Sequence, residues 1–392
     1  IIFLWIGQFI SHTGDSIYMM ALPWLILDIT GSKTSTALVA ASVYLPTLIF
    51  GLFAGTLADR FPRKLIMILS DLLRAITVAT IPIVLIMGNQ STFLIGFIAF
   101  LLSTFGTPFY PARDSLIPTL VPQNKLSIVN SFISTSGQLS HLMGPAIAGV
   151  FVGFVGITHL FTIDAITFLV SLIFICFISI KEKNSKDINY SYFDDIKLGL
   201  NFIKSEKGIL ILIILTSINN LFIMGPAIIG LPVFVREVLQ EDFSTLAKLE
   251  SAMAIGMLLG SFLIIRFFEN FSHIKILYFG ILFDGFTYSL LFTIESNLLA
   301  IFMLFVHGIG IPLIVVSRTN LIQKHIPDKL RGRIFSMVNM SVLGTTAISS
   351  ILTGFCLEII GVQQLFLIIG ICAMSTVFIG LFSPQFRKLD QN

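Results

Sequence analysis

Long apolar runs broken by short polar stretches fill this sequence from end to end. A bilayer core about 30 Å thick needs roughly 20 apolar residues of helix to cross it. Cutting at the polar breaks yields twelve such segments, near 1–28, 34–58, 65–87, 92–114, 126–152, 157–180, 208–239, 246–267, 273–294, 297–323, 330–357 and 361–382. The seventh includes an external turn near Pro232. The pattern therefore predicts an all-α integral membrane protein with twelve transmembrane helices.

Lys and Arg set the orientation, because cytoplasmic loops concentrate them. Of the 24 in the chain, twenty fall on one set of alternate loops and three (Lys33, Arg236 and Lys248) on the other. Both termini are expected on the cytoplasmic side of a bacterial cytoplasmic membrane. The longest polar break, 181–207, divides the chain into an N-terminal bundle, 1–180, and a C-terminal bundle, 208–392. Inside it Phe193, Ile196, Leu200 and Ile203 recur at helical spacing, with Asp194, Asp195, Lys197 and Lys204 on other faces. That spacing predicts a short amphipathic helix lying on the inner membrane surface.

The two halves echo each other at an offset of about 205 residues. Gly51-Leu-Phe-Ala-Gly55 corresponds to Gly256-Met-Leu-Leu-Gly260, and Gly106-Thr-Pro108 to Gly310-Ile-Pro312 after one gap. Arg113-Asp-Ser-Leu-Ile, running on to Val121-Pro122, corresponds to Arg318-Thr-Asn-Leu-Ile, running on to Ile326-Pro327, and Gly149 falls opposite Gly354. Six spans per half give both halves one orientation, so they form two parallel six-helix bundles with a substrate site expected between them. The glycine pairs are expected to bring neighbouring helices close.

Composition agrees with the pattern: 55% of residues are hydrophobic and 11% charged, against about 25% charged in a soluble domain. The surface must largely face lipid. A net charge of +3 gives no sign of nucleic acid. Cys176, Cys356 and Cys372 stand singly in apolar stretches, so neither a disulfide framework nor a zinc site is expected. The chain opens on Ile1 without a Met, and a short preceding piece is expected. The opening stretch carries Gln8, His12 and Asp15 and does not read as a cleavable signal peptide.

Between the second and third segments lies Gly55-Thr-Leu-Ala-Asp59-Arg60-Phe-Pro-Arg63-Lys64. It resembles the signature loop of the major facilitator superfamily, with Pro62 where that family commonly has Gly. The resemblance covers essentially the whole chain. It implies alternating access by rocking of two bundles, a cavity lined mainly by spans 1, 2, 4, 5, 7, 8, 10 and 11, and a monomer without cofactor. It also implies that Asp59 faces the start of the eleventh span and that Arg63 pairs with Asp114, while Arg60 and Lys64 anchor the loop. Gly14-Asp15, Ala21-Leu22-Pro23-Trp24, Tyr110-Pro111-Ala112-Arg113 and Leu330-Arg331-Gly332-Arg333-Ile334-Phe335-Ser336 are similar to the branch holding macrolide efflux pumps and catecholate siderophore exporters. That branch lies near lysophospholipid transporters and, more remotely, ferroportin-like divalent metal exporters. Ser140-His-Leu-Met-Gly144-Pro145-Ala-Ile-Ala148-Gly149 resembles an antiporter signature, with Ser140 and Ala148 at two of its Gly positions.

Polar residues inside spans are costly and mark substrate or ion pathways. Asp15 is near mid-depth of the first span, where a desolvated carboxylate can carry a proton. Gln138, His141, Asn219, Asn220 and His307 are candidates to bind substrate, the two histidines also to relay protons. Asp71 and Arg74, three apart on the third span, are expected to pair and to support the signature loop. Asp164 and Asp284 are expected to make local hydrogen bonds, Asp284 with no evident partner. No nucleotide-binding GxxxxGK[ST], HExxH or GxSxG occurs. An enzyme is not expected; an intramembrane peptidase or transferase is the remote alternative. The sequence reads as a proton-coupled exporter of an amphipathic organic solute.

Overall fold

In a computed structural model, which describes residues 1–179, 192–268 and 271–390, the chain is helical nearly throughout. The first spans are α1 (Ile2–Thr30), α2 (Lys33–Arg60), α3 (Arg63–Ile86) and α4 (Thr92–Leu120). A continuous stretch, Leu126–Cys176, follows and breaks at Gly156, whose φ of 75° and ψ of 165° are open essentially to glycine alone. Trp5, Thr13 and Ser16 meet Phe132, Ser140 and Gly144 in turn, so 126–155 runs alongside α1 in the same sense. Gly7, Gly14 and Tyr18 meet Ser171, Asp164 and Phe161, so 157–176 runs the opposite way. Gly156 is thus the turn between α5 (126–155) and α6 (157–176).

The C-terminal spans are α7 (Lys207–Glu237), α8 (Phe243–Phe267), α9 (His273–Thr293), α10 (Asn297–His325), α11 (Asp328–Ile359) and α12 (Val362–Leu381). Ten helices are long and apolar enough to cross a membrane among the described residues, with the α5–α6 stretch counted once. α1 equals them in length, and Gln8, Ser11, His12 and Asp15 make it more polar. Large apolar side chains such as Phe93 (85% exposed) and Ile359 (84%) stand outward, as lipid contact requires.

Two boundaries differ from the sequence reading. α4 continues to Leu120 rather than stopping at 114; it bends at Thr107–Pro108, where Pro removes a donor without forbidding helical φ. Pro232 lies within helix, and the irregular piece of α7 is a π turn at Pro226–Gly230. Both prolines stand in the first turn of their helical pieces, where a missing N–H is not needed.

The chain folds as two compact units, Ile1–Asn189 and Tyr190–Asn392. Residues 181–191 of the expected linker lie outside the described residues, as do the side chains of Phe193, Asp194, Asp195 and Ile196. The linker helix, Tyr192–Ser205, buries Ile203 in the core of the second unit with Ile209, Leu212 and Leu215, while Leu198 and Leu200 stay exposed. The first unit packs Leu4, Met67, Phe109, Leu116 and Ile175 into its own core.

Glycines do different work in the two halves. A Cβ at Gly256 would fall inside the van der Waals envelope of the Phe305 carbonyl, and one at Gly260 inside that of Ile309, so α8 and α10 touch backbone to backbone. At the repeat-related Gly51 a Cβ would meet only Thr47 of its own helix, so the expected close approach is absent there. The reason is that close packing needs a facing backbone as well as a small residue. Gly256→Ala should therefore cost about 1–3 kcal/mol through forced separation of the helices, and Gly51→Ala almost nothing. Thermal unfolding in detergent compares them, and equal losses would refute the distinction.

Helix ends are closed by charge. Lys64 Nζ donates to the carbonyls of Cys176 (2.9 Å) and Ile178 (2.8 Å) at the end of α6, and Arg331 donates to Gln323 (2.7 Å) and Ile326 (3.1 Å) at the end of α10. Cations there complement the negative helix end. At the other pole Asp242 caps α8 by accepting from the Ser244 and Thr245 amides. The Ser244 hydroxyl, 2.6 Å away, is the main cause holding this carboxyl below its ordinary 3.8. A depressed carboxyl stabilises the fold above its unfolded pKa and loses that contribution as pH falls through the folded one. Asp242→Ala should cost about 0.5–2 kcal/mol at neutral pH. That difference should shrink in acid, which paired thermal melts would show.

Candidate functional site

The polar residues of the first unit converge on one layer. Arg74 projects from α3 and is 6% exposed; its Nη2 lies 2.6 Å from Asp15 Oδ1, and its Nη1 3.4 Å from Asp71 Oδ1. The guanidinium plane also stacks over Phe168 of α6, 3.8 Å from the ring centroid, which gives a desolvated cation a polarisable face. Gly106 on α4 packs against the Arg74 side chain, where a Cβ would be in ordinary contact with it. Arg74 thus ties α1 to α3, and its closer partner is Asp15 rather than the Asp71 expected from spacing. Sequence spacing relates only residues on one helix, and Asp15 is on another.

Two further carboxyl atoms are left over. Asp71 Oδ2 and Asp164 Oδ2 are buried with no hydrogen-bond partner within bonding distance among the described residues. Asp164, on α6, has its other oxygen 3.4 Å from the Thr167 hydroxyl and against Gly14 of α1. Of the three carboxyls in this layer, Arg74 contacts those of Asp15 and Asp71.

Beside this layer an open pocket of about 680 Å³ is lined by His12, Tyr110, Arg113, Asp114, Gln138 and His141, among others. Tyr110 and Arg113 come from α4 just beyond Thr107–Pro108. The His12 ring stacks on Tyr110 with centroids 5.9 Å apart, and Arg113 lies over the same phenol at 5.1 Å. Arg113 pairs with Asp114 at 2.8 Å and donates to Gln8 Oε1 at 3.2 Å. His12 Nδ1 is 3.9 Å from Asp15 Oδ2, which makes His12 the link between pocket and ion pair. Ser140, one of the two departures from the antiporter-like motif, donates to the Phe9 carbonyl and accepts from Thr13, so it fastens α5 to α1.

The candidates named from sequence separate accordingly. Asp15, Gln138 and His141 lie in or beside this site. Asn220 is committed to α11, its amide nitrogen within hydrogen-bond distance of the Val342 carbonyl and the hydroxyls of Thr345 (2.8 Å) and Thr346 (3.1 Å). Asn219 adjoins Asp284, whose partner the sequence did not reveal: His307 Nε2 lies 3.5 Å from Asp284 Oδ1. At the start of α3, Arg63 donates to the Ser115 carbonyl at 2.9 Å, while Asp114 takes Arg113. Arg60 is exposed at the end of α2, and the Asp59 side chain lies outside the described residues. No group of three or more His, Cys, Asp or Glu able to hold a metal occurs among the described residues.

Sequence reasoning overlooked His12, Tyr110 and Arg113 as pocket walls and Arg74 as the partner of Asp15. One signal was available: Arg74 is the single basic residue of the 24 on neither set of loops. A cation placed inside a span calls for a buried acid.

A family model described as Major Facilitator Superfamily matches residues 4–342 and 249–388. Macrolide efflux protein A of Streptococcus pyogenes is 23% identical over 392 residues, covering 99% of this chain and 96% of its own length. The multidrug efflux pump Tap of Mycolicibacterium fortuitum is 22% identical over 389 residues, covering 97% and 94%. Among solved structures, the nucleoside transporter NupG aligns with a TM-score of 0.76 at 15% identity, over 100% of this chain and 99% of its own. A bacterial homologue of the iron transporter ferroportin aligns with a TM-score of 0.71, also at 15% identity, over 100% and 98%. At such identity the structural likeness is one of fold.

Proposed function

The chain belongs to the Major Facilitator Superfamily and is a multi-pass membrane transporter, and from that premise we propose that it exports bulky amphipathic organic solutes in exchange for protons. The observation that carries this reading is the pocket beside the Asp15–Arg74 pair. At about 680 Å³ it is within the range of about 300–1,000 Å³ typical of small-molecule sites. Its Tyr110–His12 face suits a ring or fused apolar body, and Arg113, Asp114 and Gln138 offer charge and hydrogen bonds to polar substituents. The efflux relatives, aligned along nearly their full length, favour export.

Coupling follows from the ion pair. In this state Asp15 is satisfied by Arg74. A solute engaging His12 sits one contact from that pair. When the solute leaves outward, Asp15 takes a proton in place of Arg74; on return it releases the proton inward and closes the pair again. A proton entering the cell gains about 2.3 kcal/mol per 100 mV of membrane potential. Alternate exposure comes from rocking of the two six-helix units in the bacterial cytoplasmic membrane, with both termini inside. The α2–α3 junction, with Gly55, Asp59 and Arg60 at the end of α2 and Arg63 and Lys64 at the start of α3, acts as the gate.

Inverted membrane vesicles with an acidified lumen provide the test, using a macrolide, a catecholate siderophore and a lysolipid as probes. Uptake of at least one probe is expected, abolished by a protonophore and reduced at least about tenfold by Tyr110→Ala or Arg113→Ala, as loss of a stacking or ionic anchor implies. Uptake indifferent to the protonophore would remove proton coupling. Uptake indifferent to both substitutions would remove the pocket.

A further inference from the structure

The second unit holds a buried acid and imidazole that the site above does not use. Asp284 on α9 and His307 on α10 have side chains 3% and 4% exposed, with Asp284 Oδ1 3.5 Å from His307 Nε2. The other ring nitrogen, Nδ1, is 2.8 Å from Thr287 Oγ1. Thr287 has one hydroxyl hydrogen, and its oxygen lies 2.9 Å from both the Phe283 and Asp284 carbonyls, the local acceptors a helical threonine prefers. Toward His307 the threonine oxygen therefore accepts, and the ring hydrogen sits on Nδ1. A neutral His307 then turns the lone pair of Nε2 toward a carboxylate oxygen. Two acceptors would face each other in a buried site unless one of the pair carries a further proton.

Charge leads to the same place. Asn219 on α7 adjoins Asp284, and Tyr288 on α9 meets the imidazole edge-on with centroids 4.6 Å apart; Glu250 on α8 lies near Tyr288. From α12 the ring of Phe366 covers Tyr288. Glu250 is a second acid, and no Lys or Arg is among these neighbours. An ionised Asp284 could be balanced only by protonating His307, and a neutral Asp284 already holds the proton.

We propose that Asp284 and His307 form a proton-binding site of the C-terminal unit, separate from the Asp15 layer. The bound proton is held by the pair, whose Oδ1 and Nε2 lie 3.5 Å apart. Its part in transport rests on the proton-exchange reading above, whereas its occupancy does not. The pair holds one proton when loaded and a net negative charge when empty. Only a change that admits water or a cation makes the empty form accessible.

Histidine-selective ¹⁵N NMR on the purified full chain tests this, with His307→Gln assigning the resonance. The expected spectrum has Nδ1 protonated and an Nε2 signal that moves as the pair loses its proton on raising pH. In Asp284→Asn, which keeps the shape without the acid, His307 should stay in the neutral Nδ1–H form at every pH. A wild-type His307 protonated on Nε2 with Nδ1 bare would overturn the proposal. So would a titration identical in wild type and Asp284→Asn. Failure of proton-driven uptake in vesicles would instead count against the exporter reading, so the two failures are distinguishable.

Discussion

Arg74→Met is expected to be the most destabilising single substitution in the N-terminal unit. Its guanidinium contacts both Asp15 and Asp71, and it is buried against Phe168. Removing one partner of a buried pair leaves an uncompensated charge and typically costs about 3–5 kcal/mol. Arg74→Lys should recover only part of this, because an ammonium cannot both stack on Phe168 and fork to two carboxyls. The Asp15→Asn/Arg74→Met double variant should be more stable than Arg74→Met alone, since one stranded acid has been neutralised. Thermal unfolding of the purified variants measures all three. Additive losses would mean that the 2.6 Å contact contributes nothing as a pair.

Asp15→Asn is expected to have the largest effect on transport with little effect on folding, because asparagine can still accept from Arg74. With the membrane potential collapsed, each coupled proton sustains about a tenfold solute gradient per unit of ΔpH, the equivalent of about 1.4 kcal/mol. A variant that cannot take up the proton at Asp15 should lose that factor in inverted vesicles and keep downhill exchange. Accumulation at the wild-type level would show that Asp15 is an ion-pair partner only. Together with the Arg74 series, this separates the two roles of Asp15: the fold uses its charge, and coupling uses its proton.

The helices and the short charged α2–α3 loop were legible because the bilayer imposes a length and a composition that a single sequence displays directly. Even the departures were local: Pro108 bends α4 without ending it, and Pro226 marks a π turn where Pro232 had been expected to mark an external one. Gly156 needs a backbone angle that only the folded turn makes visible, although the break it creates was already visible as the division near 152–157.

Partnership is what the sequence could not supply. Asp71 and Arg74 share a helix face and looked like a pair, yet the shortest contact of Arg74 crosses to α1, 59 residues away. Asp284 looked alone because its partner lies on the next helix; the two positions stand nine residues before Thr293 and ten after Asn297, at equal depth in one hairpin. Asn220, matched to Asp15 by the repeat, is instead occupied by α11. By itself the sequence determined what must be in the membrane, since that depends on each residue's own transfer energy. Which buried polar groups face one another was decided only by the tertiary structure, because helix rotation and neighbour choice are set by packing among all six helices of each unit.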